Sequence, residues 1–85
     1  MTVDIKHASA YRVGCDPDIS LKAKGIYFYL YLRHGEHVTL ERMTEDFQEG
    51  IASIRRAVKE LEDAGHLKRV RIYPNGHAAY DWFLK

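Results

Sequence analysis

Between Gly50 and Gly65 the apolar residues Ile51, Ile54, Ala57, Val58, Leu61 and Ala64 recur at helical spacing, while Ala52, Arg56, Lys59 and Asp63 fall on the opposite side. No proline interrupts the run, and Gly65 supplies a C-terminal stop. Such a segment is stable with its apolar side buried and its charged side in water. Any fold open to this chain is therefore built around a helix over 51–64, held along one flank.

The chain has 85 residues, so a single domain over 1–85 is expected. It is 46% hydrophobic and 29% charged, which supplies the apolar surface that disordered chains lack. A core this small depends on tight helix packing or on a partner. The single cysteine, Cys15, excludes an internal disulfide or a zinc knuckle. No apolar run approaches the ~18–20 residues of a membrane span. Asp4, Lys6 and His7 stand where a signal peptide would be apolar. The expectation is a cytoplasmic, nucleoid-associated protein with no membrane partner.

The segment 1–18 is read as N-terminal extension, with some β character through Tyr11 and Val13 and a turn at Cys15-Asp16-Pro17-Asp18. A helix over 20–33 starts at Ser20, a good N-cap, and stops before Gly35. Ala23, Ile26, Tyr27 and Leu30 share one side of it, and Leu21, Gly25, Phe28 and Leu32 share the other. A helix apolar on two sides needs cover on both. Two covers are open: a second subunit, with Leu21, Phe28 and Leu32 as the homodimer interface, or the N-terminal segment through Val3, Ile5, Tyr11 and Val13.

A short helix over 39–47 opens at Thr39, with Val38 and Met43 as a hydrophobic staple. Gln48-Glu49-Gly50 breaks it, and Gly50 can take the left-handed conformation that a sharp turn needs. A hairpin over 67–84 follows the third helix. A two-residue turn at Asn75-Gly76 pairs Val70 with Asp81 and Ile72 with Ala79. A three-residue turn led by Pro74 pairs Val70 with Tyr80, Lys68 with Trp82, Arg69 with Asp81 and Leu67 with Phe83. The latter joins apolar to apolar and basic to acidic and is the expected register.

Two helices across a glycine-containing turn, the second longer and basic, followed by a strand pair, make an α+β winged helix-turn-helix: three helices plus a two- or three-stranded β wing. Charge follows the same division. Residues 1–50 hold six Lys/Arg against eight Asp/Glu, and 51–85 hold seven against four, so a net +1 conceals a basic second half. The outward side of a helix anchored by Ile54, Val58 and Leu61 fits a major groove about 12 Å wide. The expected DNA-binding residues are Ala52 and Ser53 for close approach to bases, Arg56 for guanine O6 and N7, and Arg55 and Lys59 for phosphates. Lys68, Arg69, Arg71 and His77 are the wing candidates. Thr39 is read first as an N-cap and second as a phosphate donor.

The stretch Ile19-Ser20-Leu21-Lys22-Ala23-Lys24-Gly25-Ile26-Tyr27-Phe28-Tyr29-Leu30 resembles the first helix of bacterial, phage and plasmid helix-turn-helix proteins related to replication-initiator and replisome-organiser N-terminal domains. The run Gly50-Ile51-Ala52-Ser53-Ile54-Arg55-Arg56-Ala57-Val58-Lys59-Glu60-Leu61-Glu62-Asp63-Ala64-Gly65-His66-Leu67 is similar to their recognition helix and wing entry. The resemblance covers 19 to about 82 and implies a winged helix that binds double-stranded DNA, often as a dimer.

Two functions are consistent with these features. One is sequence-specific DNA binding, as a transcriptional regulator or DNA-organising factor. The other is a protein-interaction winged helix, an adaptor or inhibitor of a host protein, suggested by Glu41, Glu45, Asp46 and Glu49 where phosphates would pass. His34 and His37 lack a third firm ligand, so neither metal nor cofactor is expected. No acid/base pair, phosphate loop or nucleophile elbow points to an enzyme.

Overall fold

A hydroxyl side chain starts each of the first three helices. Ser9 accepts from Arg12 N, Ser20 from Ala23 N and Thr39 from Arg42 N, each satisfying an amide of a first turn. The computed structural model describes residues 2–76 and 79–85. Their order is β1 (Val3–Asp4), α1 (Ala10–Gly14), α2 (Leu21–Leu32), α3 (Leu40–Asp46), α4 (Ile51–Asp63), β2 (Leu67–Ile72) and β3 (Ala79–Leu84), with a 3-10 turn at Pro74–Gly76. The architecture is α+β: four helices and a three-stranded mixed sheet of order β1-β3-β2.

The N-terminal segment corrects the expectation twice. Where β character was expected around Tyr11 and Val13, the capped turn of α1 places Val13 in the core and leaves Tyr11 83% exposed. Upstream, β1 runs parallel to β3 and pairs Val3 with Trp82. Val3 and Val13 are thus core residues; the N-terminal segment meets the outer side of α2 at Gly14, where a Cβ would lie 3.7 Å from the Phe28 ring.

That core joins Ile26, Tyr27 and Leu30 of α2, Met43 of α3 and Ile54, Val58 and Leu61 of α4 to Trp82 and Leu84 of β3. Two buried polar groups lock its edges. The Tyr27 hydroxyl accepts from Ser9 N (3.0 Å) and donates to Lys85 O (2.9 Å). Trp82 Nε1 donates to Val38 O at 3.0 Å, fixing the sheet to the entry of α3. The staple residues Val38 and Met43 are both buried.

Gly50 is the N-cap of α4 with φ −74°, so the left-handed conformation open to it is not used, because the chain enters the helix from extended backbone. The left-handed glycines include Gly35 and Gly65, which follow α2 and α4.

The hairpin also departs from the expected register. Leu67 pairs with Leu84, Lys68 with Phe83, Arg69 with Trp82, Val70 with Asp81, Arg71 with Tyr80 and Ile72 with Ala79. Asn75 and Gly76 have φ 54° and 80°, the positive values a two-residue Asn-Gly turn requires. The pairing gained is guanidinium on aromatic: Arg69 lies 4.7 Å from the Tyr80 centroid and 5.9 Å from that of Trp82. Arg69 bonds Glu62 instead of the expected Asp81, which accepts from Thr2 N.

Candidate functional site

Burial of Ile54, Ala57, Val58 and Leu61 turns the other side of α4 to solvent, where Ala52, Arg55, Arg56 and Lys59 are exposed. Among the described residues neither Arg55 nor Arg56 has a hydrogen-bond or ion-pair partner. Lys59 sits 3.4 Å from Asp63 one turn on, an exposed pair of the kind that contributes only about 0.3–0.5 kcal/mol.

Most of the neighbouring carboxylates are turned elsewhere. Glu60 accepts from Ser20 N (2.5 Å) and Ser20 Oγ (2.9 Å), tying α4 to the start of α2. Glu49 takes Lys22 at 3.2 Å, and Ser53 accepts from Lys22 Nζ (2.6 Å) while donating to Glu49 (3.2 Å). Ser53, expected near bases, is thereby part of a clasp between α2 and the turn before α4. Asp46 faces Arg33 at 3.4 Å and Arg42 at 3.9 Å, and accepts from the Tyr29 hydroxyl. Burial, reinforced by that bond to Asp46, pushes Tyr29 up to about 12, so it remains a neutral donor. Glu41 and Glu45 stay exposed.

On the flank towards the sheet, Arg55 and Lys59 share a cleft of about 620 Å³ with Arg69, Arg71, Thr39, Glu41, Glu62 and Tyr80. Arg71 is exposed and donates to the Tyr80 hydroxyl at 3.0 Å. Arg69 is largely withdrawn: its side chain is 22% exposed, stacked on aromatics and bonded to Glu62 at 3.0 Å. Thr39 lines the cleft while its hydroxyl serves as the helix cap. Lys68 lies on the opposite side of the sheet, in a recess with Asp4 and His7, away from α4. His77 lies outside the described residues. The structure thus brings together Arg55, Lys59, Arg71 and, recessed, Arg69, with Ala52 and Arg56 on the adjoining outward side.

Sequence reasoning missed Tyr80, Glu62, Lys22 and Glu49 in this environment. The alternation of Tyr80 with Trp82, set opposite Arg71 and Arg69, was the signal for Tyr80. Lys22 gave none, since it reaches Ser53 across thirty-one positions of sequence. No three His, Cys, Asp or Glu side chains among the described residues group as a metal site, and no described helix is long and apolar enough to cross a membrane. Comparison with protein-family models, curated proteins and solved structures finds no match to this chain.

Proposed function

We propose that the chain is a winged helix-turn-helix protein that binds double-stranded DNA, acting as a transcriptional regulator or DNA-organising factor on the nucleoid. The outward side of α4 enters the major groove, Arg56 reads a guanine through O6 and N7, and Arg55, Lys59 and Arg71 hold phosphates. One observation carries this reading: Arg55 and Arg56 are exposed on one helix without an acidic partner among the described residues, while Asp46, Glu49, Glu60 and Glu62 each have another cation or donor.

Selection of bound duplexes from a random pool, followed by gel shifts across a salt series, tests it. Arg56→Ala is expected to cost about 1–3 kcal/mol on the selected duplex and to relax preference at one base pair. Lys59→Ala is expected to weaken all duplexes alike and lower the salt slope by about one. Unchanged affinity and preference in Arg56→Ala would remove the assignment of that residue. Absence of duplex binding at about 50 mM salt, where phosphate contacts are strongest, would overturn the whole reading.

That last outcome would favour a protein-binding winged helix. Glu41 and Glu45 motivate it, because both are exposed on α3 with no side-chain partner among the described residues, where a DNA backbone would pass.

A further inference from the structure

The cleft between α4 and the sheet offers more than a duplex backbone can use. It encloses about 620 Å³, within the range of sites for small organic ligands and far more room than one phosphate needs. Its described lining carries four cations, Arg55, Lys59, Arg69 and Arg71, against two carboxylates, Glu41 and Glu62. Arg69 takes Glu62 at 3.0 Å. Arg55 has no acidic partner among the described residues, Lys59 has the exposed Asp63, and Arg71 rests on the uncharged Tyr80 hydroxyl. Like charges from α4 and β2 therefore converge on one recess, which concentrates counter-ions. Donors are in excess as well. The Tyr80 hydroxyl accepts from Arg71 and has no acceptor for its own proton among the described residues, and Arg69 Nε is buried without one. The rest of the lining differs in kind. Val38, Leu40 and Ala79 are apolar, and the Glu41 carboxylate has no side-chain partner among the described residues.

We propose that this cleft binds a small organic phosphomonoester. Arg55, Lys59 and Arg71 hold its phosphate, and its uncharged body lies along Val38, Leu40 and Ala79 and donates to Glu41. The phosphate supplies what the cleft lacks, close to two negative charges and three acceptor oxygens. Arg55 presents the planar fork that pairs two such oxygens at once. Glu41 tells this ligand from a duplex. A DNA backbone has no donor to offer a carboxylate and is repelled by it, whereas a hydroxyl or amine on a ligand body satisfies it. Depth argues the same way, because a duplex along the outward side of α4 meets the rim, while the recessed Arg69 is 22% exposed. The ligand uses the cations assigned above to duplex phosphates, so ligand and duplex exclude one another. That consequence rests on the DNA reading; the site itself does not.

The test titrates the full chain, without DNA and at about 50 mM salt, with adenosine monophosphate and with ribose phosphate, followed by amide NMR shifts. Adenosine and inorganic phosphate are the comparators. At least one phosphomonoester is expected to saturate with a dissociation constant below about 1 mM, shifting Arg55, Arg71 and Tyr80. Inorganic phosphate is expected to bind more weakly, and adenosine not at all. Arg71→Ala is expected to raise the dissociation constant about tenfold or more, and Lys68→Ala, on the opposite side of the sheet, to leave it unchanged. Glu41→Ala is expected to weaken the phosphomonoester while tightening inorganic phosphate, since only the former has a donor for that carboxylate. No saturation by either phosphomonoester, adenosine binding as tightly, or equal losses in Lys68→Ala and Arg71→Ala would each overturn the proposal. So would a chain that takes up neither phosphomonoester but loses duplex affinity in Arg71→Ala, which would reserve the cleft for backbone phosphates. Should Arg71→Ala fail to fold, Arg55→Ala takes its place. Binding of a phosphomonoester by a chain that binds no duplex would support this site and remove the DNA reading alone.

Discussion

Helices α2 and α4 solve the same problem with opposite patterns. In α4 one apolar side, Ile54, Ala57, Val58 and Leu61, is wholly hidden, and beyond the first turn the rest is charged. In α2 both sides are apolar; Ala23, Ile26, Tyr27 and Leu30 are buried, while Leu21 and Leu32 stand in solvent. A helix with one apolar side has one way to lie on a core, so its own sequence sets which residues face out. A helix with two leaves that choice to its neighbours.

The contrast breaks or holds first on α2 itself. Leu30→Ala is expected to cost about 2–5 kcal/mol, the range for a buried leucine that leaves a cavity. Leu32→Ala is expected to stay within about 0.5 kcal/mol in dilute solution, as at an exposed position. Denaturant unfolding of both variants at the same low concentration gives the comparison. Similar losses would mean that the outer side of α2 is packed within one copy.

Gly25→Ala sharpens the point with a smaller effect of opposite sign. Alanine gains about 0.8–1 kcal/mol over glycine in a helix interior, and the space at this Cβ is open. Dilute protein is therefore expected to become more stable by about that amount. A loss of stability would show that the fold of a single copy requires the glycine.

The same contrast explains what was legible in the sequence. The helix expected over 51–64 is Ile51–Asp63, and its hidden residues are those its period selects, so the exposure of Arg55 and Arg56 follows from pattern alone. Helix α1 was not legible, because five residues have too little intrinsic helicity and gain stability by burying Val13. Nor was the hairpin register. Matching Arg69 to Asp81 by charge ignored the Tyr80 and Trp82 faces on which a guanidinium can stack, and it ignored the backbone demand of Asn75-Gly76. Within the candidate site, the helix cations could be read from periodicity. The clasp on Ser53 and the withdrawal of Arg69 could not, since both arise from contacts made only after the chain has folded.

A polar contact also joins the end of α4 to the segment before α2. His66, 4% exposed, donates from Nε2 to Asp16 Oδ2 at 2.6 Å. This bond, with one from Asp18 N, holds the Asp16 carboxyl below its ordinary value of 3.8. A lowered carboxyl contributes stability that is full above the unfolded value and is lost as pH falls through the folded one. Asp16→Asn is thus expected to unfold with a flatter pH dependence below about pH 4. Acid titrations of both proteins, followed by Trp82 fluorescence, check this; superimposable curves after allowance for any constant offset would show that Asp16 is not linked to folding.

The smallest expected effect lies on the outward side of α4. Asp63 is exposed and pairs with Lys59 at 3.4 Å. Asp63→Asn should therefore change stability by no more than about 0.5 kcal/mol. If this side meets phosphates, removing the carboxylate releases Lys59 and removes a repulsion, so duplex binding should tighten, and by more at low salt than at high. A side that serves only as a solvated surface would show the small stability change and no change in duplex affinity. Lowered affinity would mean that Asp63 itself helps to position Lys59, and the helix would then present a pre-set cation–anion pair to its partner instead of a row of independent cations.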